Sequence, residues 1–201
     1  MTDEEMRSVV TTAHALGLKV AAHIYPAGAI EAAVRAGVDS VEHGSFATDE
    51  TFALMKAHGT VLVPTLSVFD IYYDTARDRP DLLAPGTAAK ELANDRLPRQ
   101  NLPRAVRSGV RIAYGTDSGV YPHADSARQL PYLVRHGLTP MQALQAATVR
   151  AAECMGWQDR VGSLEPGRFA DLVATPSDPL ITDLTALHGE LTVIKGGRVI
   201  T

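Results

Sequence analysis

Two histidines, a threonine and an aspartate recur at comparable places along this 201-residue chain. His23, His43 and Thr65 each stand six residues after a glycine, namely Gly17, Gly37 and Gly59. Asp117 stands eight residues after Gly109. Imidazole nitrogens and a carboxylate are the donors that hold a zinc-class ion with one position open for water. Such an ion lowers the pKa of its water toward neutrality and polarises a carbonyl. A nearby carboxylate then takes the proton and passes it to a leaving amine. Two His and one Asp also match the composition of a facial triad, and ligand type alone does not choose between the two.

The residues between these positions name the elements that must carry them. Each glycine follows a stretch of helix formers, for example Glu4 to Leu16, Ala29 to Ala36 and Asp49 to His58. A β-rich run follows each glycine, as in 37–43 (GVDSVEH) and 59–65 (GTVLVPT). Glycine at such a junction is the expected helix C-cap, because it tolerates the left-handed conformation. Thr2 with Glu5, and Thr139-Pro140 with Gln142, read as capping boxes at helix starts. The alternation predicts an α/β fold with a parallel sheet and crossover helices. The four polar residues then fall at the C-terminal ends of strands, where α/β barrels build their chemistry. A lone polar residue there can simply begin a turn; two His and an Asp at matching places favour a site.

Two regions break the alternation. Between Asp70 and Gln100, residues such as Asp74, Arg77, Asp78, Pro80 and Pro85-Gly86 are loop chemistry. A helix is expected from about Thr87 to Arg107, perturbed by Pro98 and Pro103. This insertion reads equally as a lid or as a solvated excursion. In the tail, 162–171 is turn-rich, and 172–174 and 191–194 read as strands. Gly196-Gly197 then suggests a hairpin into 198–200. The expected division is 1–160 for the helix–strand alternation and 161–201 for a small β-structure.

Composition sets the outer limits. A net charge of −4 argues against a nucleic-acid binder working by general electrostatics. A single cysteine, Cys154, excludes an internal disulfide framework and a cysteine-only zinc cluster. No apolar run approaches the length of a membrane span. The acidic opening residues read as a helix start and not a secretory leader, so a cytoplasmic location is expected. His14 and His58 fall on helical segments as surface residues, and Cys154 reads as a small buried apolar group. A complete eight-stranded barrel typically needs about 250 residues, more than this chain has.

Ala22-His23, 41–44 (VEHG), 115–119 (GTDSG) and 162–173 (GSLEPGRFADLV) together resemble the second half of an amidohydrolase-superfamily enzyme. The similarity is to its imidazolonepropionase-like and Xaa-Pro dipeptidase-like branch, and Pro64-Thr65-Leu66 and Tyr121-Pro-His123 fit that branch too. The resemblance implies strands five to eight of a TIM-type (β/α)8 metal-dependent hydrolase barrel, with a short tail from an accessory β-sandwich. It implies His23 and His43 as metal ligands, and Asp117 as ligand and base. His123 and Thr65 would stand near a small-molecule substrate. The cofactor implied is a divalent metal, zinc in the first instance, and the reaction is cleavage of a C–N bond in a cyclic amide or Xaa-Pro dipeptide. The family's first-strand His-x-His and its bridging lysine have no counterpart in this sequence. The chain therefore reads as a barrel's C-terminal portion, or as a catalytically incomplete half-barrel that needs a partner chain or a second copy.

Overall fold

The computed structural model describes residues 1–94, 96–119, 121–176 and 184–200. Helix α1 (Asp3–Ala15) opens with the expected capping box: the Glu5 N–H donates to Thr2 Oγ1, and Thr2 N–H donates to Glu5 Oε2 at 2.7 Å. Strands β1 (Ala21–Pro26), β2 (Ser40–Phe46) and β3 (Val61–Val63) alternate with α2 (Ala27–Ala36) and α3 (Asp49–His58). They form one parallel sheet in the order β1-β2-β3. Gly37 and Gly59 end α2 and α3 with φ of 98° and 74°, the left-handed caps the sequence required.

The fourth strand of the alternation is reduced to a single bridge, Leu62 to Ile112. The Leu62 N–H donates to the Arg111 carbonyl at 2.8 Å, and Ala113 N–H donates to the Leu62 carbonyl at 2.9 Å. β3 is only three residues long, so the ladder has little to template. The expected excursion after β3 is also corrected. Residues 66–78 form a helix, α4 (Leu66–Asp78), whose first turn is buried at Leu66, Ser67 and Val68 and again at Ala76, while Asp74 and Arg77 pair on its exposed surface. The helix expected near 87–107 is observed as α5 (Thr87–Asn94) and α6 (Arg96–Ser108), the latter with Pro103 inside it. Pro98 falls in α6 among residues whose side chains lie outside the described set.

Beyond the sheet come a 3-10 turn (His123–Arg128), α7 (Gln129–Arg135), α8 (Pro140–Ala147) and α9 (Val149–Met155). Thr139 and Gln142 complete the second capping box. The tail strands β4 (Leu172–Ala174), β5 (Thr192–Lys195) and β6 (Arg198–Val199) make a separate antiparallel sheet. Gly196 and Gly197, with φ of 57° and 78°, turn β5 into β6 as a two-residue hairpin.

The main core lies on the helix side of the sheet, where Val41 and Leu62 meet Ile30, Val34, Phe52 and Met55. The opposite face is covered unevenly. Cys154 of α9, half-buried as a packing group, lies against Val61, Val63 and Ala113. On β1, Ala21 and His23 of that face are exposed. Parallel sheets are ordinarily covered on both faces, so this arrangement leaves one side of the sheet open near β1.

Asp39 fastens the opposite, N-terminal end of the strands. Its carboxylate accepts from Lys19 Nζ and from the Val20 N–H, both at 2.8 Å, and lies 2.8 Å from His14 Nε2. Burial alone would raise this carboxyl, but the Lys19 ammonium, the Val20 N–H and the His14 ring hold it below the ordinary range. A depressed folded pKa gives stability that is present above the unfolded value, near 3.9, and lost as pH falls through the folded one. Asp39→Ala is expected to cost about 1–3 kcal/mol at pH 7 in urea titration. The gap between variant and parent should narrow as the pH is lowered below 4; a gap that is constant with pH would contradict this assignment.

Candidate metal centre

Strand alternation puts His23 and Glu42 on one face, since they are register partners across β1 and β2. By the same alternation His43 shares the face of Val41, which points into the helix-side core. The backbone overrides this. His43 has φ of 70° and Gly44 has φ of 61°. The pairing moves from Ile24–His43 to Pro26–Phe46, so β2 carries one extra residue. This bulge re-aims the imidazole, a use that bulges have beside functional sites. Gly44 is needed for it, because a Cβ there would come within 2.8 Å of Leu62 Cδ1 in a left-handed backbone.

The result is a chain of three side chains: His23 and His43 lie within β1 and β2 and not at the strand ends that the sequence suggests, and Thr65 lies two residues beyond β3. His43 Nε2 lies 3.0 Å from His23 Nδ1, and His43 Nδ1 lies 2.6 Å from Thr65 Oγ1. His43 and Thr65 are 6% and 3% exposed, while His23 opens to solvent. The Tyr25 ring stacks on His43 at 5.0 Å, and Phe69 meets His43 edge-on at 6.0 Å. A His43 that donates from Nδ1 to Thr65 Oγ1 presents a bare Nε2 toward His23. Thr65 thus orients an imidazole, the role that hydrogen-bond partners behind metal ligands fill.

Among the described residues, only His43, Thr65 and Asp117 combine a side chain with a positive φ. Thr65 has φ of 45° at the start of α4, and Asp117 has φ of 51°. Each such conformation costs of order 1–3 kcal/mol and persists where surroundings over-determine it, typically at functional sites. Three of the five residues singled out in the sequence carry this strain.

Electrostatics agree with the geometry. Burial, helped by the neighbouring His23, lowers the His43 pKa, and the Asp117 charge opposes this. His43 therefore favours its neutral form, which keeps a lone pair available. Burial raises the Glu42 carboxyl, Ser40 Oγ donating to it at 2.6 Å lowers it, and Asp117 raises it further. Burial also raises the Tyr25 phenol, with the charges of Asp117 and Glu91 acting in the same sense. Asp117 is thus felt at three residues around the histidine pair.

The structure brings His23, His43 and Thr65 into contact. Asp117 is exposed and lies within electrostatic reach, without closing on the pair. Among the described residues no group of three His, Cys, Asp or Glu gathers tightly enough to hold an ion. His123 begins the 3-10 turn after the Asp117 segment and is exposed, apart from the pair. Sequence reasoning missed Tyr25, Phe69 and Glu42. Tyr25 shares the face of His23 two residues on, and Phe69 lies four residues after Thr65 on α4, so both were within reach of periodicity.

The donor set fits a divalent ion in its chemistry. Two imidazole nitrogens facing each other at 3.0 Å are of the donor type that zinc takes. His14 and His58 take no part: His14 pairs with Asp39, and His58 ends α3 exposed.

A parallel α/β sheet with a histidine pair and strained residues at one end defines the class of protein to compare. A profile of the amidohydrolase family matches residues 1–200, and the chain belongs to that family. It is 36% identical over 180 residues to ochratoxinase of Aspergillus niger, covering 88% of this chain and 36% of that protein. It is 31% identical over 209 residues to imidazolonepropionase of Geobacillus kaustophilus, covering 99% and 43%. The crystal structure of a Xaa-Pro dipeptidase with bound methionine in the active site superposes with a TM-score of 0.93 at 34% identity. That match covers 99% of this chain and 48% of the dipeptidase. The chain spans about half the length of the curated relatives it matches.

Two preassembled nitrogens give an ion fewer protein contacts than a closed zinc site. After dialysis against metal-free buffer, elemental analysis should return well below one zinc per chain. Full occupancy would show that Asp117 or another donor closes on the pair unaided.

Proposed function

We propose that this chain is the C-terminal portion of a metal-dependent amidohydrolase that cleaves a C–N bond in a small molecule, of the cyclic-amide or Xaa-Pro dipeptide type. The observation that carries this is the His23–His43–Thr65 chain beside Asp117, held by three strained backbones. In this reading residues 1–160 supply strands five to eight of a (β/α)8 barrel, and residues 161–201 supply strands of a small β-sandwich. Family membership and similarity to ochratoxinase, imidazolonepropionase and a Xaa-Pro dipeptidase support it.

His23 and His43 would hold a divalent ion, zinc by donor type, with Asp117 as the third protein ligand. Such an ion acidifies a water and polarises the scissile carbonyl. The chain's own work is positioning and proton transfer. Thr65 fixes the His43 ring, Tyr25 packs against both imidazoles, and Phe69 meets the His43 ring edge-on. Asp117, exposed and without a hydrogen-bond acceptor role among the described residues, takes the proton of the attacking water and delivers it to the leaving nitrogen. His123 would stand beside the substrate. Among the described residues no helix is long and apolar enough to cross a membrane.

A second reading is favoured by the open sheet face at Ala21 and His23 and by the two-ligand cluster. Here the chain is an incomplete half-barrel that acts only with a polypeptide supplying the remaining strands, or with a second copy of itself. An unpaired parallel edge at β1 is a template for such pairing.

Asp117→Asn in a reconstituted assembly, made by co-expressing the remaining barrel half, separates these roles. Its kcat should fall roughly 10²–10⁴-fold, the typical worth of general acid–base assistance. Metal content should fall much less than in His23→Ala. Near-parental kcat with metal bound would make Asp117 a turn residue.

A further inference from the structure

Gln129 is the largest polar side chain that the structure buries completely, at 0% exposure. The reaction just described gives it no role, yet its amide joins two elements of the site. Its Oε1 accepts from the Ser67 N–H at 3.2 Å and from Ser67 Oγ at 2.8 Å. Its Nε2 donates to the Gly115 carbonyl. Ser67 lies two residues beyond Thr65 on α4, and Gly115 lies two residues before Asp117. One buried amide therefore spans the segment that orients His43 and the segment that carries Asp117.

Tyr121 touches the same two segments, its single hydroxyl proton shared between the two contacts. Its hydroxyl donates to the Thr116 carbonyl at 3.0 Å and lies 3.0 Å from Ser67 Oγ. The other flank of Asp117 is tied as well. Ser118 Oγ lies 2.7 Å from Thr116 Oγ1 and 2.9 Å from Ser126 Oγ. Gly115 closes the arrangement, since a Cβ there would overlap Val63 Cγ1. Every residue from Gly115 to Ser118 is thus anchored by a hydrogen bond except Asp117, which sits between the anchors with φ of 51°.

A buried amide left half-satisfied is penalised heavily, so a network of this kind permits few arrangements. We infer that Gln129, Ser67 and Tyr121 are positioning residues that hold Asp117 in its left-handed conformation at the His43–Thr65 side of the site. The backbone part of this inference stands on its own. Its consequence for metal affinity rests on the amidohydrolase reading given above.

The test uses the full chain with Tyr121→Phe and Gln129→Leu. Tyr121→Phe removes one hydroxyl and keeps the ring, so it decides the matter alone if Gln129→Leu does not fold. The first readout needs no metal. A residue with positive φ has a short distance between its amide and α protons, seen in NMR as a strong intraresidue NOE. The second readout is titration with zinc chloride against a competing dye. The expected result is a weakened Asp117 NOE in the variants and a zinc Kd raised roughly 10–100-fold, the usual effect of losing an orienting contact behind a ligand. An Asp117 NOE unchanged in both variants overturns the inference, whatever zinc does. A weakened NOE with zinc binding absent from the parent chain upholds the positioning role and favours the half-barrel reading, in which the remaining strands complete the metal site.

Discussion

The left-handed turn at His43 and Gly44 decides which face of the sheet the His43 imidazole occupies. In a regular strand it would follow Val41 into the helix-side core. The extra residue in β2 breaks that parity and sets Nε2 3.0 Å from His23. What holds the strain is visible around it. Thr65 takes the other ring nitrogen, Tyr25 stacks on one face, Phe69 closes an edge, and Gly44 lets the chain pass Leu62. Remove these and the bulge has little reason to persist. The same surroundings bury the ring and keep it neutral. Backbone strain, packing and ligand chemistry are therefore one arrangement seen from three sides.

A second constraint is the sheet itself. Helices cover one face, and α9 covers only part of the other, near β3. The strands keep their hydrogen bonds through β1, β2 and β3, then thin to a single bridge at Ile112. A parallel sheet with an open face and a free edge is under-covered by the usual standard. The relatives are about twice as long as this chain, and the exposed His23 lies on the uncovered side. Among the described residues the histidine pair and the uncovered side of the sheet thus coincide in space.

Much of this was legible in the sequence. Glycines at 17, 37, 59 and 109 marked the helix-to-strand junctions, and all four adopt positive φ. Both capping boxes and the Gly196-Gly197 hairpin formed as the residues implied. The six-residue offset found His23, His43 and Thr65, which do meet. It gave the wrong reason: in register His23 faces Glu42, and only the bulge brings His43 to it. No local pattern announces a bulge at His43, because its cause is tertiary. Helix α4 was hidden for a different reason. Its Asp74, Arg77 and Asp78 look like loop residues until they are seen as ion pairs on an exposed helix surface. Gln129 carried no signal at all, since its partners lie 62 and 14 residues away.

If the facing nitrogens of His23 and His43 are one half of a metal site, an added ion must engage both rings. Nitrogen-15 NMR of the histidine rings during addition of zinc measures this directly. The predicted result is that His43 Nε2 and His23 Nδ1 shift together on zinc addition, while His43 Nδ1 stays protonated on Thr65. Zinc that shifts other histidines, or leaves these two rings unchanged, would contradict the account.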